Sequence, residues 1–446
     1  MSRVLVLTTE PLPLPGTATT GAGLRAWGLA EGLRSAGMDV IIGTPIYGDD
    51  ESPAPDPVVS HVRIFRRNAI AKLLDEVHPD VLVLQHWGMA AEVPELSIPL
   101  VLDLAGPHLL ERKYWGSANP EHDLQEKLSA IRRADFITCS GYYQRHYFYP
   151  YLEMAGYDTA RFPVPVIPFS VPPAASEKQP AAANLAGPTF VYGGAFLAWQ
   201  DPTRAITWLL QEMDDVGRGR LLFYGGSHPV LDASAAKFTE LVDMLSNHPR
   251  VDMRGWKPFD ELLQEYRAEG HVALDLMTRN PERELAFTTR TMIYLHCGLP
   301  VIYNDYSEVS QLIHNAKAGW TLDPDDEHAF RTLAKRILSG KEALAELSVN
   351  AVQLSTEYDW TKTVTPLLDF CTMPKMREGR VEFALAHEMK LHDTLNASSS
   401  GRRITPMSLL VKYVRPGRLA APFLYLATWP ISLYIRLRLH ASSRHS

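Results

Sequence analysis

A chain of 446 residues with 46% apolar content is long enough for two ordinary domains plus an appendage and apolar enough to fill their cores, which excludes a disordered protein. A net charge of -7 with 21% charged residues argues against a general nucleic-acid binder. Cys139, Cys297 and Cys371 lie too far apart for a disulfide framework or a zinc site, so a reducing compartment fits best. At the amino end the apolar run Val4-Leu5-Val6-Leu7 is too short for a secretory signal, and Arg3 to Thr8 predicts a buried first strand instead. The Asn396-Ala397-Ser398 sequon then reads as incidental. A Pro-rich loop ends in Thr20-Gly21-Ala22-Gly23, a helix runs to about Ser35, Gly37 closes it, and Asp39 to Gly43 completes a right-handed βαβ unit. Gly21 and Gly23 let the backbone approach a ligand where a helix start offers N–H groups to an anion; a plain glycine-containing turn is the other reading. Further strands over Asp80 to His86, Pro99 to Leu104 and Phe136 to Ser140 place His86, Asp103, His108 and Ser140 along one rim.

Residues 160 to 188, rich in Pro, Ala and Ser, suit an inter-domain linker. A strand then starts at Thr189 and leads through Gly193-Gly194, a turn suited to a diphosphate, into a helix around Ala205 to Met213. Arg220 to Pro229, the segment before Arg254-Gly255-Trp256-Lys257-Pro258, and His271 to Met277 repeat the strand-then-loop pattern. The charged stretch Pro281-Glu282-Arg283-Glu284 reads as a loop before a helix over Thr289 to His296. Gly298 suits the left-handed position after that helix, and Pro300 prevents its continuation. Val301-Ile302-Tyr303 reads as a buried parallel strand, followed by Asn304-Asp305-Tyr306-Ser307-Glu308 with Ser307 as the expected N-cap. Because ligands in open α/β sheets sit beyond the carboxyl ends of the strands, the loops before Thr289 and after Tyr303 are expected to face one pocket. Arg290 offers a planar fork of donors to a phosphate there, or is a surface arginine. Two helices are expected from Asp326 to about Ser355, and the preceding Asp323-Pro324-Asp325-Asp326 reads as a solvated helix-start loop rather than a metal motif. Arg402, Arg403, Lys412, Arg415 and Arg418 precede an apolar, aromatic stretch from Leu419 to Leu437 interrupted by Pro422 and Pro430, which suits an anionic membrane surface or a partner.

The turn His296-Cys297-Gly298-Leu299-Pro300-Val301-Ile302, with Glu282, Phe287, Thr288, Thr289 and Arg290 before it, resembles the donor-site signature of GT-B glycosyltransferases, family 4, in a bacterial cell-surface polysaccharide subgroup. Gly23 to Ala30, Asp103 to Glu111, Ser140-Gly141-Tyr142-Tyr143-Gln144-Arg145, the Gly193, Gly194, Trp199, Asp201, Pro202 set and the Gly225 to Pro229 element are similar to family elements in the same order, over about Arg3 to Pro374. The resemblance implies an α/β GT-B fold: two Rossmann-like doubly wound domains facing a cleft, plus a C-terminal helical tail. It implies an acceptor domain over 1–170, a nucleotide-sugar donor domain over 186–355, a closing helix over 356–375 that returns to the first domain, and a tail over 376–446. It implies His108, Asp103 and Glu308 as catalytic residues, and Gly21, Gly23, Gly193, Gly194, His228, Trp256, Glu282, Arg290, Tyr306 and Ser307 as donor-binding. The implied activity is sugar transfer, with retention and without a metal or other cofactor, from a nucleotide-sugar donor to a glycan or lipid-linked acceptor. Such an enzyme is expected in the cytoplasm, peripheral on the inner face of the membrane through residues 402–437, with no nucleic-acid partner. One departure stands out: where the family carries two acidic residues eight positions apart, this chain has Leu285 and Ile293. A non-catalytic GT-B nucleotide-sugar-binding partner is therefore the alternative, and a GT-B epimerase or hydrolase a third.

Overall fold

Two successive runs of alternating strand and helix build two parallel sheets, each of six strands. The computed structural model describes residues 2–46, 59–114, 116, 119–173, 187–226 and 235–380. The first sheet contains β1 (Arg3–Leu7), β2 (Asp39–Pro45), β3 (Val62–Phe65), β4 (Val81–Leu84), β5 (Leu100–Leu104) and β6 (Phe136–Cys139), in the order β3-β2-β1-β4-β5-β6. The second contains β7 (Thr189–Ala195), β8 (Arg220–Gly226), β9 (Val251–Gly255), β10 (Val272–Asp275), β11 (Val301–Asn304) and β12 (Gly319–Leu322), in the order β12-β11-β10-β7-β8-β9. Both are doubly wound, and in each the strand order reverses beside the first strand, between β1 and β4 and between β7 and β10. Crevices at such reversals receive ligands.

Helices on both faces explain the unbroken apolar runs. Val81–Leu84 and Leu100–Leu104 are buried along their whole length, as expected for parallel strands covered on both sides. Each fully buried Val or Leu contributes about 1.5–3 kcal/mol. The chain crosses back near its end: Trp360 N donates to Val171 O at 3.1 Å, while Val364, Leu367 and Cys371 join Leu29 and Leu33 in the first lobe's core. Phe370 stacks on Phe136 with ring centroids 4.5 Å apart.

Several local expectations change. The strands β3 and β12 and the Ile70–Val77 helix were not anticipated; Val62–Phe65 is short and interrupted by Arg63, and Gly319–Leu322 is only partly buried along its length. Pro281–Leu285, expected as a loop, is a short helix, because Pro281 opens it and the Asn280 side chain accepts hydrogen bonds from Glu282 N and Arg283 N, each at 3.1 Å. Ser307 occupies the N-cap position of the Glu308–Ala316 helix, but its hydroxyl donates to Tyr303 Oη at 3.1 Å and caps nothing. Gly298 has the expected left-handed backbone, with φ 69°. The expectations for His228, the Asn396 sequon and the 402–437 segment lie outside the described residues.

Candidate active site

The carboxyl ends of both sheets face a cavity of about 510 Å³. The first lobe lines it with Glu10, Gly21, His86, His108 and Glu111, and the second with Gly193, Gly194, Trp256, Glu282 and Arg290.

In the second lobe Arg290 is the fixed point. Its Nη1 donates to Tyr192 Oη at 3.0 Å and Asp275 Oδ1 at 3.3 Å, and its Nη2 to Gln200 Oε1 at 2.7 Å. Burial opposes the charge, but Tyr192 and Asp275 outweigh it and hold the pKa above the ordinary arginine value, so the guanidinium is a permanent cation in the cavity wall. Gly194 exists for this arrangement: at φ 141° it has a backbone few other residues adopt, and a Cβ there would lie 2.6 Å from Arg290 Nη2. Gly193 plays a different part from the one expected, since its N–H is already donated to Tyr294 Oη at 2.7 Å and is not free for a phosphate.

Across the cavity His108 Nδ1 pairs with Glu111 Oε2 at 2.8 Å, and its Nε2 is buried without a hydrogen-bond partner. Burial alone would lower the His108 pKa, but the Glu111 carboxylate reverses this and the net shift is upward. The His86 ring lies 4.3 Å from His108, centroid to centroid. Burial, then the charges of His108, Arg112, Arg67 and Lys127, drive the His86 pKa well down. Glu10 accepts a hydrogen bond from Thr20 Oγ1 at 3.0 Å, and burial pushes its carboxyl up to about 7 against the pull of Thr20 and His108.

The remaining assigned residues divide clearly. Gly21 lines the cavity where the first lobe meets the second, a Cβ there falling 3.0 Å from Thr289 Oγ1. Gly23 does not line it; it packs against the chain's own loop, a Cβ falling 2.0 Å from Pro11 O. Asp103 lies behind the cavity, its oxygens accepting from Arg25 Nε at 2.7 Å, Arg25 Nη2 at 2.8 Å and Thr138 Oγ1 at 2.7 Å. This buried clamp ties the Gly21–Ser35 helix to β5 and β6, and Asp103 itself does not line the cavity. Glu308 reaches the other lobe instead of the cavity: its Oε2 accepts from Tyr143 N at 3.1 Å. Tyr306 Oη donates to Met277 O at 3.0 Å, and neither it nor Ser307 lines the cavity. Glu282 does, with its carboxylate gripped by the adjacent Arg283, Oε1 to Nη2 at 2.8 Å. Ile293 lines the cavity and Leu285 does not. The sequence reading left out Glu10, which carries the signal that found His86, a polar group near the carboxyl end of a strand, and passed over Glu111, which lies in the His108–Tyr114 helix after β5, as the end of a motif.

Two doubly wound lobes enclosing such a cavity define the GT-B glycosyltransferase fold, and this chain has it. No family model matches the sequence, and no curated protein matches it. Solved structures do. Sucrose-phosphate synthase from Thermosynechococcus elongatus is 16% identical with a TM-score of 0.60, covering 89% of this chain and 100% of its own. Anabaena HepE, solved in complex with UDP and glucose, is 14% identical with a TM-score of 0.61, covering 84% and 100%. WaaG, a glycosyltransferase involved in lipopolysaccharide biosynthesis, is 14% identical with a TM-score of 0.56, covering 83% and 100%. Among the described residues no helix is long and apolar enough to cross a membrane, and no group of three or more His, Cys, Asp or Glu is placed to hold a metal ion.

Proposed function

We propose that this protein transfers a glycosyl group from a nucleotide sugar to an acceptor seated in the first lobe, with retention of configuration and without a metal. The observation that carries the reading is Arg290, a half-buried, permanently charged guanidinium braced by three partners at the cavity wall where a donor diphosphate would lie. Negative charge grows on the diphosphate as the glycosidic bond breaks, and a cation already fixed in place lowers that barrier without reorganising. Trp256 and Lys257 line the same half of the cavity, on the side where the base would rest. His108, held by Glu111, would meet the sugar from the other lobe. Support from the comparisons is the UDP and glucose bound by HepE, and the UDP and GlcNAc bound by the pneumococcal O-GlcNAc transferase GtfA. A hexosyl donor and a glycan or lipid-linked acceptor follow from the resemblance to family 4, as does a role in cell-surface polysaccharide assembly at the inner face of the membrane.

A second reading has one observation in its favour. Ile293 lines the cavity where a ribose-binding carboxylate is expected from the resemblance, which suits a protein that binds a nucleotide sugar and partners an active transferase. Thermal-shift titration against UDP-, GDP- and dTDP-sugars tests both. Binding raises the midpoint by mass action. A selective shift with one donor, accompanied by release of its nucleotide that depends on an added acceptor, supports transfer; the shift alone supports the partner reading; no shift with any donor contradicts both.

A further inference from the structure

The first-lobe end of the cavity is built of hydrogen-bond donors. It lies at the strand reversal between β1 and β4, whose carboxyl ends present Glu10, Gln85 and His86, and Arg67 and Arg112 line the same end. Gln85 Oε1 already accepts from Thr8 Oγ1 at 2.9 Å, so its Nε2 group is what remains. His86 Nδ1 accepts from Gly88 N at 2.8 Å; a backbone N–H can only donate, so the neutral ring carries its proton on Nε2. Arg67 spends Nε and Nη2 on Glu92, at 2.9 Å and 2.7 Å, which leaves Nη1. Arg112 lies over the Trp87 ring, 4.9 Å from its centroid, and spends only Nη1 on Asp123, which leaves Nε and Nη2. The acidic groups at this end each hold one partner: Glu111 Oε2 pairs with His108 Nδ1, and Glu10 Oε2 accepts from Thr20 with the carboxyl raised to about 7 by burial. Burial, and after it the charges of His108, Arg112, Arg67 and Lys127, lowers the His86 pKa and so favours the neutral ring with its Nε2 donor.

We infer that this end of the cavity receives an anionic saccharide as the acceptor, with its phosphoryl or carboxylate oxygens held by Arg67 Nη1, Arg112 Nε and Nη2, His86 Nε2 and Gln85 Nε2. This rests on the glycosyltransferase reading above and names its acceptor class. Guanidinium groups with two remaining donors suit an oxyanion, and charge-assisted bonds are the strong ones. Neutral sugars would leave those donors poorly paired.

The test uses the full chain saturated with UDP, so that added anions cannot fill the donor diphosphate site. Calorimetric titration with glucose 6-phosphate, glucuronate and glucose should show tighter binding of one or both anionic sugars than of glucose by at least about tenfold. Whether the phosphate or the carboxylate binds more tightly identifies the group. Arg67→Ala, at an exposed ion pair that folding does not depend on, and Arg112→Ala should each weaken that binding about tenfold or more while UDP still binds, which also reports a folded protein. Equal binding of glucose and the anionic sugars, or variants that bind the anions as the wild type does, would overturn the inference while leaving the transferase reading intact. Absence of UDP binding itself would overturn the reading on which the inference rests.

Discussion

Single side chains in this protein separate scaffold from chemistry, and two substitutions show the difference. Asp103 and Arg25 form a buried, bidentate pair, so Asp103→Ala leaves a guanidinium without its partner and should cost about 3–5 kcal/mol in urea unfolding. If Asp103 instead touched substrate, the variant would keep near-normal stability and lose activity, and the two outcomes are easily told apart. Glu10 behaves in the opposite way. Its carboxyl titrates at about 7 when folded against an ordinary 4.5, so the folded state binds the proton more tightly. Its contribution is fully present below pH 4.5 and is lost as the pH rises through about 7. Glu10→Gln should therefore flatten the fall in stability between pH 5 and 8, raising stability at pH 8 by about 1–3 kcal/mol; a variant with unchanged pH dependence would contradict the buried placement. His108 was singled out by the resemblance, and the structure places it on the cavity wall. Asp103 carried the same signal but is spent on Arg25, and that partner lies 78 positions away in the chain. Such pairings are tertiary, and no local pattern announces them.

At the scale of elements, the alternation of buried strands and glycine- or proline-closed helices made both doubly wound sheets legible, because parallel strands covered on both faces leave unmistakable apolar runs. What the pattern concealed was how elements meet across the cleft. Glu308 opens the Glu308–Ala316 helix and caps the Tyr142–Met154 helix of the other lobe, while Gln311 Nε2 donates to Tyr143 Oη at 2.9 Å. Gly141 makes the approach possible, since a Cβ there would lie 2.8 Å from Glu308 Oε2. Glu308→Ala should loosen this contact, raising the radius of gyration of the nucleotide-free protein in X-ray scattering while changing stability by about 1 kcal/mol or less. Unchanged scattering together with lost nucleotide binding would instead place Glu308 in direct contact with the donor. Gly194 shows the converse coupling within one lobe. Gly194→Ala should displace Arg290 and weaken UDP binding about tenfold or more, and a variant that binds UDP normally would refute the placement of the diphosphate there.

The whole molecule joins these scales into one arrangement: two lobes with the same strand order, a cavity at their facing carboxyl ends, a fixed cation on one wall and a carboxylate-held histidine on the other. The most direct measurement of the central claim is nucleotide release from the UDP-sugar that shifts the melting midpoint, with glucose 6-phosphate and glucuronate as candidate acceptors, for the wild type and Arg290→Ala. The account predicts acceptor-dependent release of UDP by the wild type and a loss of roughly 100-fold or more in kcat/KM on removing the guanidinium. Tight binding of the nucleotide sugar with no release in the presence of any acceptor, neutral or anionic, or turnover indifferent to Arg290, would contradict it.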